Sequence, residues 1–127
     1  MPNQFPIADM QLFSLEPTKD GMRLLRNSDH LLRRFGQLDH VAIKAGGSIE
    51  YPAHSEADEI WFVLSGKVDV ILSDKRGGSP SEGTEFQLIL AQDDPQGLLL
   101  PFGVASVFSS KQEASLIRLS THSDKNK

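Results

Sequence analysis

The sequence of 127 residues has no cysteine, a single tryptophan, a single tyrosine and no long apolar run. The absence of cysteine excludes disulfides, thiolate nucleophiles and cysteine-based zinc or iron–sulfur sites. No apolar segment approaches the roughly 20 residues that a membrane-spanning helix needs. The first residues, MPNQFPIADMQ, lack the basic start and apolar stretch of a secretion signal. We therefore expect a cytoplasmic protein without a membrane partner.

Acidic residues outnumber basic residues, and the basic residues form no cluster along the sequence. The 13 Lys and Arg against 17 Asp and Glu give a net charge of −4, and the basic pairs are Arg33-Arg34 and Lys75-Arg76. Nucleic acid is therefore not expected as a partner, whereas one small phosphorylated ligand needs only one or two arginines. The length predicts a single domain over residues 1–127, with 1–12 as an N-terminal arm and 122–127 as a frayed tail.

The chain does contain many short alternating or apolar segments separated by Gly, Pro and Asp. About eight short strands without a convincing long helix favour an antiparallel sandwich or barrel. The later strands are predicted from Gln37 onward and over Ile60–Leu72, Glu85–Ala91, Leu98–Leu100, Val104–Phe108 and Ala114–Leu119.

Three local features are predicted in more detail. Residues 58–74 are interpreted as an antiparallel hairpin turning at Ser65-Gly66, because a Gly-containing turn joins two apolar runs. A long loop is predicted from Ser73 to Gly83. Residues 27–29 could cap a short helical turn over 30–34, although an extended run fits that stretch nearly as well.

The spacing of the central stretch resembles the first motif of the cupins, which are small β-barrel proteins. Its frame of Gly, His, His, Glu and Gly falls on Gly46, Pro52, His54, Glu59 and Gly66. Pro52 therefore replaces the first histidine. The resemblance implies a double-stranded β-helix, the all-β jelly roll or cupin barrel.

The second cupin motif is also present in outline. Gly97, Pro101 and Gly103 stand in the right order, and the last two positions fall on Ser106 and Ser110. Half of the family's usual metal ligands are therefore absent from the two motifs.

A loop and a strand narrow the resemblance to the dTDP-4-dehydrorhamnose 3,5-epimerases and related RmlC-like sugar-nucleotide cupins. Asp74, Arg76, Ser79-Pro80 and Gly83 match that family's D-x-R-x-x-S-P-x-x-G loop. The segment LPFGVASVF at 100–108 is similar to its I-P-x-G-x-A-H-G-F segment. The resemblance covers roughly residues 46–121 and implies a sugar-nucleotide ligand.

The chain departs from the epimerase pattern at the residues that carry the chemistry. That family removes a proton next to a ketone with a His and delivers one from a Tyr. Glu50 lies nearest the position of that His, and Ser106 replaces the His after the P-x-G segment. The single tyrosine, Tyr51, lies in a different element from the family's Tyr. The resemblance therefore implies an epimerase-like scaffold with an altered site.

Strand alternation gives a first set of candidate site residues. If His54 points into the barrel, so do Glu50 and Pro52, while Tyr51 points out. The predicted barrel mouth then holds His54, Glu50 and Glu59 as catalytic candidates, with Trp61, Ser106 and Arg118 as ligand-binding candidates.

The chemistry expected of these residues is general acid–base catalysis. A His beside a carboxylate can move a proton from carbon next to a carbonyl, and two buried carboxylates can shuttle one. A plainer interpretation is that His54 is only a polar group paired with Glu59. Trp61 could stack on a ring or be core, and Arg118 could pair with a phosphate. Arg76 is expected to close its own loop through Asp74.

Metal and cofactor sites are not expected. His54 and Glu59 supply two ligands and Glu50 could add a third, whereas catalytic metal sites generally keep three protein ligands. The main hypothesis is a homodimeric, metal-independent RmlC-like cupin that binds a small polar ligand, with epimerase or isomerase activity left open. The alternatives are a non-enzymatic ligand-binding cupin and a metal-dependent cupin enzyme.

Overall fold

The computed structural model describes residues 5–26, 31 and 33–123. Within these ranges the regular elements are all β-strands, which confirms the all-β prediction. The predicted helical turn near residues 27–34 lies largely outside the described residues. The strands are β1 Gln11–Ser14, β2 Glu16–Pro17, β3 Met22–Arg23, β4 Gln37–Ile43, β5 Ser48–Tyr51, β6 Glu59–Ser65, β7 Lys67–Asp74, β8 Glu85–Ala91, β9 Gln96–Leu100, β10 Val104–Ser109 and β11 Ala114–Ser120.

Two antiparallel sheets face each other and enclose the main core. The five-stranded sheet has the order β1-β9-β6-β11-β4, and the four-stranded sheet has the order β5-β10-β7-β8. The short strands β2 and β3 pair with each other. Alternation explains the core, since β7 turns Val68, Val70 and Leu72 inward and leaves Lys67 and Ile71 exposed. Each such buried aliphatic side chain stabilises the fold by about 1.5–3 kcal/mol.

The prediction that residues 58–74 form a hairpin is wrong, because the two strands in this range do not pair with each other. Strand β6 pairs with β9 and β11, whereas β7 pairs with β8 and β10, so the chain crosses from one sheet to the other at Gly66. Gly66 has a φ of 87°, and a Cβ there would lie 2.8 Å from the carbonyl oxygen of Glu113. Local alternation locates two consecutive strands but does not determine whether they share a sheet.

The five-stranded sheet is buried on both faces around β6. Ile60 and Phe62 lie on its outer side with Leu99, opposite the face that carries Trp61. The partly buried side chains that cover this outer cluster are Phe13, Leu15, Leu24, Leu25, Leu31, Ile117 and Leu119. The described apolar residues between Phe13 and Leu31 therefore cover the outside of this sheet.

The loop that follows β7 is closed by a buried ion pair. The Arg76 guanidinium donates to both carboxylate oxygens of Asp74 at 2.9 Å, and Ser79 and Ser81 donate to the same carboxylate. These donors hold the pKa of Asp74 well below its usual range, with Arg76 as the main cause. The expected structural role of Arg76 is confirmed. Strand β7 extends through Asp74, so the loop begins later than predicted.

The same loop also binds the N-terminal segment. Arg76 donates to the Ala8 carbonyl at 2.8 Å, and the Ala8 amide donates to Ser81 at 2.9 Å. Ile7 and Met10 are fully buried in the main core. The described part of the predicted arm is therefore an integral part of the barrel.

Candidate functional site

One end of the barrel brings together several of the candidate residues. The strand registers place Tyr51 opposite Ser106, and Arg118 between Asp39 and Trp61. The end of β5, the start of β6 and the end of β11 therefore meet near the first half of β4. We call this region the rim.

Arg118 is the centre of the charged groups at the rim. Its side chain points inward from β11 and is only 5% exposed. Its Nε donates to Glu59 Oε2 at 2.8 Å, and one terminal nitrogen donates to Asp39 Oδ2 at 3.0 Å. The guanidinium carbon lies 5.3 Å from the centre of the Tyr51 ring, a cation–π distance. Arg118 thus joins two carboxylates and an aromatic ring.

Glu59 and Trp61 form the inner part of this network. Glu59 is buried, and its Oε1 accepts a hydrogen bond from Trp61 Nε1 at 3.2 Å. Trp61 is fully buried, with its ring 4.3 Å from the Phe108 ring and 5.0 Å from Tyr51. The indole is therefore core that also orients Glu59, as the plainer interpretation of Trp61 expected.

Asp39 is the outer carboxylate of the network. Its side chain is 39% exposed, and Oδ2 accepts from Gln37 Nε2 at 2.7 Å as well as from Arg118. The other oxygen, Oδ1, has no hydrogen bond from the described residues. Two donors thus fix the orientation of the carboxylate and leave one oxygen available to a ligand.

A cleft of about 470 Å³ opens beside these groups, between the edge strands of the two sheets. This volume is in the range typical of small-molecule sites, about 300–1,000 Å³. Its lining residues are Gln37, Asp39, His40, Val41, Ala42, Tyr51 and Arg118. We call it the lateral cleft.

The predicted orientations of Glu50 and Tyr51 are reversed in the structure. Glu50 is exposed on β5, while the Tyr51 ring packs against Trp61 and Phe108. Strand β5 ends at Tyr51 and an irregular segment follows, so alternation cannot be carried back from His54 to Glu50. Tyr51 therefore lines the lateral cleft, and Glu50 points away from the core.

His54 does not pair with Glu59, contrary to the expectation. It lies in the loop between β5 and β6, where its Nδ1 accepts hydrogen bonds from the backbone amides of Glu56 and Ala57, both at 3.0 Å. The ring hydrogen of the uncharged imidazole then lies on Nε2. In this arrangement neither ring nitrogen has a free lone pair for a metal ion or for a substrate proton.

Ser106 points inward from β10, as expected, and is buried. Its Oγ has no hydrogen-bond partner in the described part of the structure. Among the described residues, no group of three or more His, Asp or Glu side chains is placed to hold a metal ion. No helix in the described ranges is long and apolar enough to cross a membrane.

Sequence reasoning missed Asp39 and Gln37 and assigned Tyr51 to the wrong face. A usable signal for Asp39 exists, because alternation places it on the same face of β4 as the buried Val41 and Ile43. A carboxylate on a core-facing position requires a partner, and Arg118 on the neighbouring strand provides it.

Comparison with solved structures identifies the fold. A dTDP sugar isomerase from Desulfovibrio desulfuricans G20 superposes with a TM-score of 0.85 at 22% identity, covering 95% of this chain and 82% of that one. The RmlC epimerase from Legionella pneumophila, solved with dTDP-4-keto-L-rhamnose, gives 0.81 at 18% identity, covering 98% and 72%. The dTDP-4-dehydrorhamnose 3,5-epimerase from Sulfolobus tokodaii gives 0.81 at 21% identity, covering 99% and 78%.

One curated protein is similar in sequence. The spore coat polysaccharide biosynthesis protein SpsL of Bacillus subtilis is 33% identical over 82 residues, which are 65% of this chain and 54% of that protein. The chain therefore matches about half the length of this relative. No protein-family model matches the sequence. The resemblance stated from the motifs is confirmed by the structural neighbours, and the chain has the jelly-roll cupin fold of the RmlC-like sugar-nucleotide epimerases and isomerases.

Proposed function

We propose that this protein binds a nucleotide-activated sugar in the lateral cleft and acts on it as an acid–base epimerase or isomerase. The observation that carries the proposal is the half-exposed Asp39 carboxylate, held by Gln37 and Arg118 with Oδ1 available, beside Tyr51. The structural neighbours include a dTDP sugar isomerase and an epimerase solved with dTDP-4-keto-L-rhamnose, and SpsL is a polysaccharide biosynthesis protein. These similarities support the ligand class.

The proposed chemistry needs one base and one acid on the two sides of a sugar carbon next to a ketone. Asp39 Oδ1 takes the proton from that carbon, and the electron pair moves onto the ketone oxygen as an enolate. Tyr51 then delivers its phenolic proton to the same carbon from the opposite face, which inverts the centre. Proton exchange with solvent restores the phenol and the Asp39 carboxylate. Arg118 contributes positive charge near the developing enolate.

Glu59 has a positioning role in this proposal. It is buried and binds Arg118, so it fixes the guanidinium that in turn orients Asp39. The catalytic roles predicted for His54 and Glu50 stay predictions, but this mechanism does not use them. Trp61 and Ser106 support the wall of the barrel behind Tyr51.

A second candidate is a binding protein without turnover. Pro52 and Ser106 stand where the resembled families have histidines, which favours this alternative. The two candidates share the ligand and the lateral cleft and differ only in whether a carbon–hydrogen bond is broken.

The test is solvent deuterium incorporation at the carbon beside the ketone of a dTDP-4-keto-6-deoxy sugar, followed by proton NMR. The wild type should exchange that hydrogen and invert the centre. Asp39→Asn should slow exchange by about 100-fold or more, whereas Tyr51→Phe should slow inversion by about 100-fold or more and retain exchange through Asp39. Asp69→Asn is the matched control, because Asp69 lies on the outer side of the four-stranded sheet. Exchange unaffected by Asp39→Asn would exclude Asp39 as the base. Binding without any exchange would favour the binding protein.

Assembly and location are also proposed. Strands β4 and β5 are sheet edges beside the lateral cleft, and exposed edges are commonly covered by a partner. We propose a cytoplasmic homodimer that uses no metal or other cofactor. Light scattering should give twice the chain mass of 14.0 kDa at micromolar concentration. A monomer under these conditions would contradict the dimer.

A further inference from the structure

The edge of β4 forms part of the lateral cleft. Strand β4 is the last strand of the five-stranded sheet and pairs with β11 on one side. Residues from both faces of β4 line the cleft, since Val41 is buried on the core side whereas His40 and Ala42 are exposed on the other. A cleft that contacts both faces of an edge strand runs along its unpaired side, where the strand presents backbone N–H and C=O groups.

The hydrogen bonds at the end of β11 show which way its backbone groups point. The Thr121 amide donates to the Asp58 carbonyl, beside β6, at 3.0 Å. The Ser120 carbonyl accepts from the Gly36 amide, beside β4, at 2.7 Å. Because the backbone groups of successive residues in a strand point to alternate sides, Arg118 directs its amide and carbonyl toward β4, as Ser120 does.

The direction of the backbone groups of β4 follows from this alternation. Arg118 lies opposite Asp39, so these two residues exchange hydrogen bonds between β11 and β4. The intervening residues of β4, which are Leu38, His40 and Ala42, turn their amides and carbonyls to the unpaired edge. None of these groups has a hydrogen-bond partner in the part of the chain that the structure describes.

Ala42 is the edge residue placed to contact the far end of a ligand. Ala42 and His40 line the lateral cleft, whereas Leu38 is not among its described lining residues. Ala42 lies three residues beyond Asp39, which corresponds to about 10 Å along a strand at roughly 3.3 Å per residue. A ligand whose reacting end lies at Asp39 can therefore contact Ala42 with its opposite end.

The backbone of a single edge residue selects for a particular chemical group. Its N–H and C=O point the same way, and in an antiparallel ladder they exchange two hydrogen bonds with the residue opposite. A flat ring with a carbonyl beside an N–H, such as the imide of thymine, can take the place of that opposite residue. A phosphate group can accept only the N–H bond and leaves the carbonyl without a donor. The unpaired edge at Ala42 therefore favours a nucleobase over a phosphate.

We propose that Ala42 recognises the base of the nucleotide-activated sugar through its backbone. The Ala42 amide donates to a ring carbonyl of the base, and the Ala42 carbonyl accepts a hydrogen bond from the adjacent ring N–H. The sugar then lies toward Asp39 and Tyr51. This inference rests on the proposed function for the identity of the ligand, and it does not depend on whether the ligand is turned over.

The experiment compares thymidine diphosphate with its N3-methyl derivative, which lacks the ring N–H, on the full chain. Calorimetry gives the two affinities, and proton–nitrogen NMR follows the backbone amides. The derivative should bind about tenfold more weakly, because it leaves the Ala42 carbonyl without a donor. Thymidine diphosphate should move the Ala42 amide proton signal downfield, whereas the Leu38 amide signal on the same edge should not move.

Two substitutions at Ala42 separate the backbone from the side chain. Ala42→Pro removes the amide hydrogen at an edge position, where proline is tolerated, and should weaken binding by about tenfold. Ala42→Ser keeps the amide and should bind within about twofold of wild type. Leu38→Pro is the matched control, because it removes an amide from the same edge and should leave the affinity unchanged. Circular dichroism and urea unfolding check that each variant is folded.

The remaining outcomes separate this inference from the proposed function. Equal affinity for the two nucleotides, equal binding by Ala42→Pro and Ala42→Ser, or no binding of thymidine diphosphate would overturn the role of Ala42. The nucleotide comparison uses the wild type, so it is decisive even if Ala42→Pro fails to fold. Deuterium exchange in the keto sugar without discrimination against the N3-methyl base would overturn this inference and leave the proposed function in place. Discrimination between the two nucleotides without any exchange would support this inference and contradict turnover.

Discussion

Arg118 and Glu59 form a buried ion pair across β11 and β6, with the guanidinium Nε donating to Glu59 Oε2 at 2.8 Å. Neither side chain is more than 10% exposed. The pair is enclosed by the rings of Trp61 and Tyr51, so each charge depends on the other for compensation. Through Arg118 it links the core of the barrel to Asp39, whose Oδ1 has no hydrogen bond from the described residues.

Removing one partner of this ion pair should destabilise the protein more than removing both partners. Arg118→Met leaves Glu59 buried without its cation, and we expect a loss of about 3–5 kcal/mol in the free energy of unfolding. The double variant Arg118→Met with Glu59→Leu removes both charges and should lose less than the single variant. Urea unfolding followed by tryptophan fluorescence measures all three proteins. A double variant less stable than the single one would contradict this account.

The Asp74–Arg76 ion pair should make stability depend on pH in the acid range. The pKa of Asp74 is lowered in the folded protein, so its contribution is fully present above the unfolded value of about 4 and is lost as the pH falls below it. Asp74→Asn should cost about 3–5 kcal/mol at pH 7, because Arg76 is left without its buried partner. The difference from wild type should shrink toward pH 2 in urea unfolding. If the difference in the free energy of unfolding between wild type and Asp74→Asn were the same at pH 7 and pH 2, the predicted pH dependence would be contradicted.

Ser106 should be replaceable by an apolar residue. Its buried Oγ has no partner among the described residues, so Ser106→Ala removes an unsatisfied hydroxyl and should leave stability unchanged or raise it by about 1 kcal/mol. Ser110 on the same face is the control, because its Oγ donates to the Lys67 carbonyl at 2.7 Å. Ser110→Ala should destabilise by about 1 kcal/mol. Equal losses in both would indicate that Ser106 has a structural partner.

The two bases suggested by the sequence can be separated from Asp39 by the same deuterium assay. Glu50 is exposed on the outer side of β5, so Glu50→Gln should leave the exchange rate within about twofold of wild type. His54→Ala removes the acceptor of two backbone amides and should lower stability by about 1 kcal/mol, with exchange retained. Loss of exchange in either variant, with the fold intact by circular dichroism, would return the catalytic role to that residue.

The strand positions were largely predictable from the sequence, and their partners were not. Glu85–Ala91 is a strand with the bounds that alternation gave, and Arg76 closes its loop as its spacing from Asp74 indicated. The sheet crossing at Gly66 was missed because alternation is a property of one strand, whereas pairing depends on strands far away in the sequence. The orientation of Tyr51 was predicted wrongly because β5 ends at this residue, so the alternation of side chains does not continue to His54. Motif spacing pointed to the end of the barrel where Glu59 and Arg118 meet, but it named His54, whose Nδ1 accepts hydrogen bonds from its own loop.

The place of β11 has a consequence for the order of folding. This last strand lies between β4 and β6 in the five-stranded sheet, and it supplies Arg118. A growing chain therefore holds Asp39 and Glu59 without their shared cation until β11 has been made. Strand β4 cannot join this sheet before then, since the strand that it pairs with is β11. The charged site is therefore completed in the same step that joins β4 to the rest of the sheet.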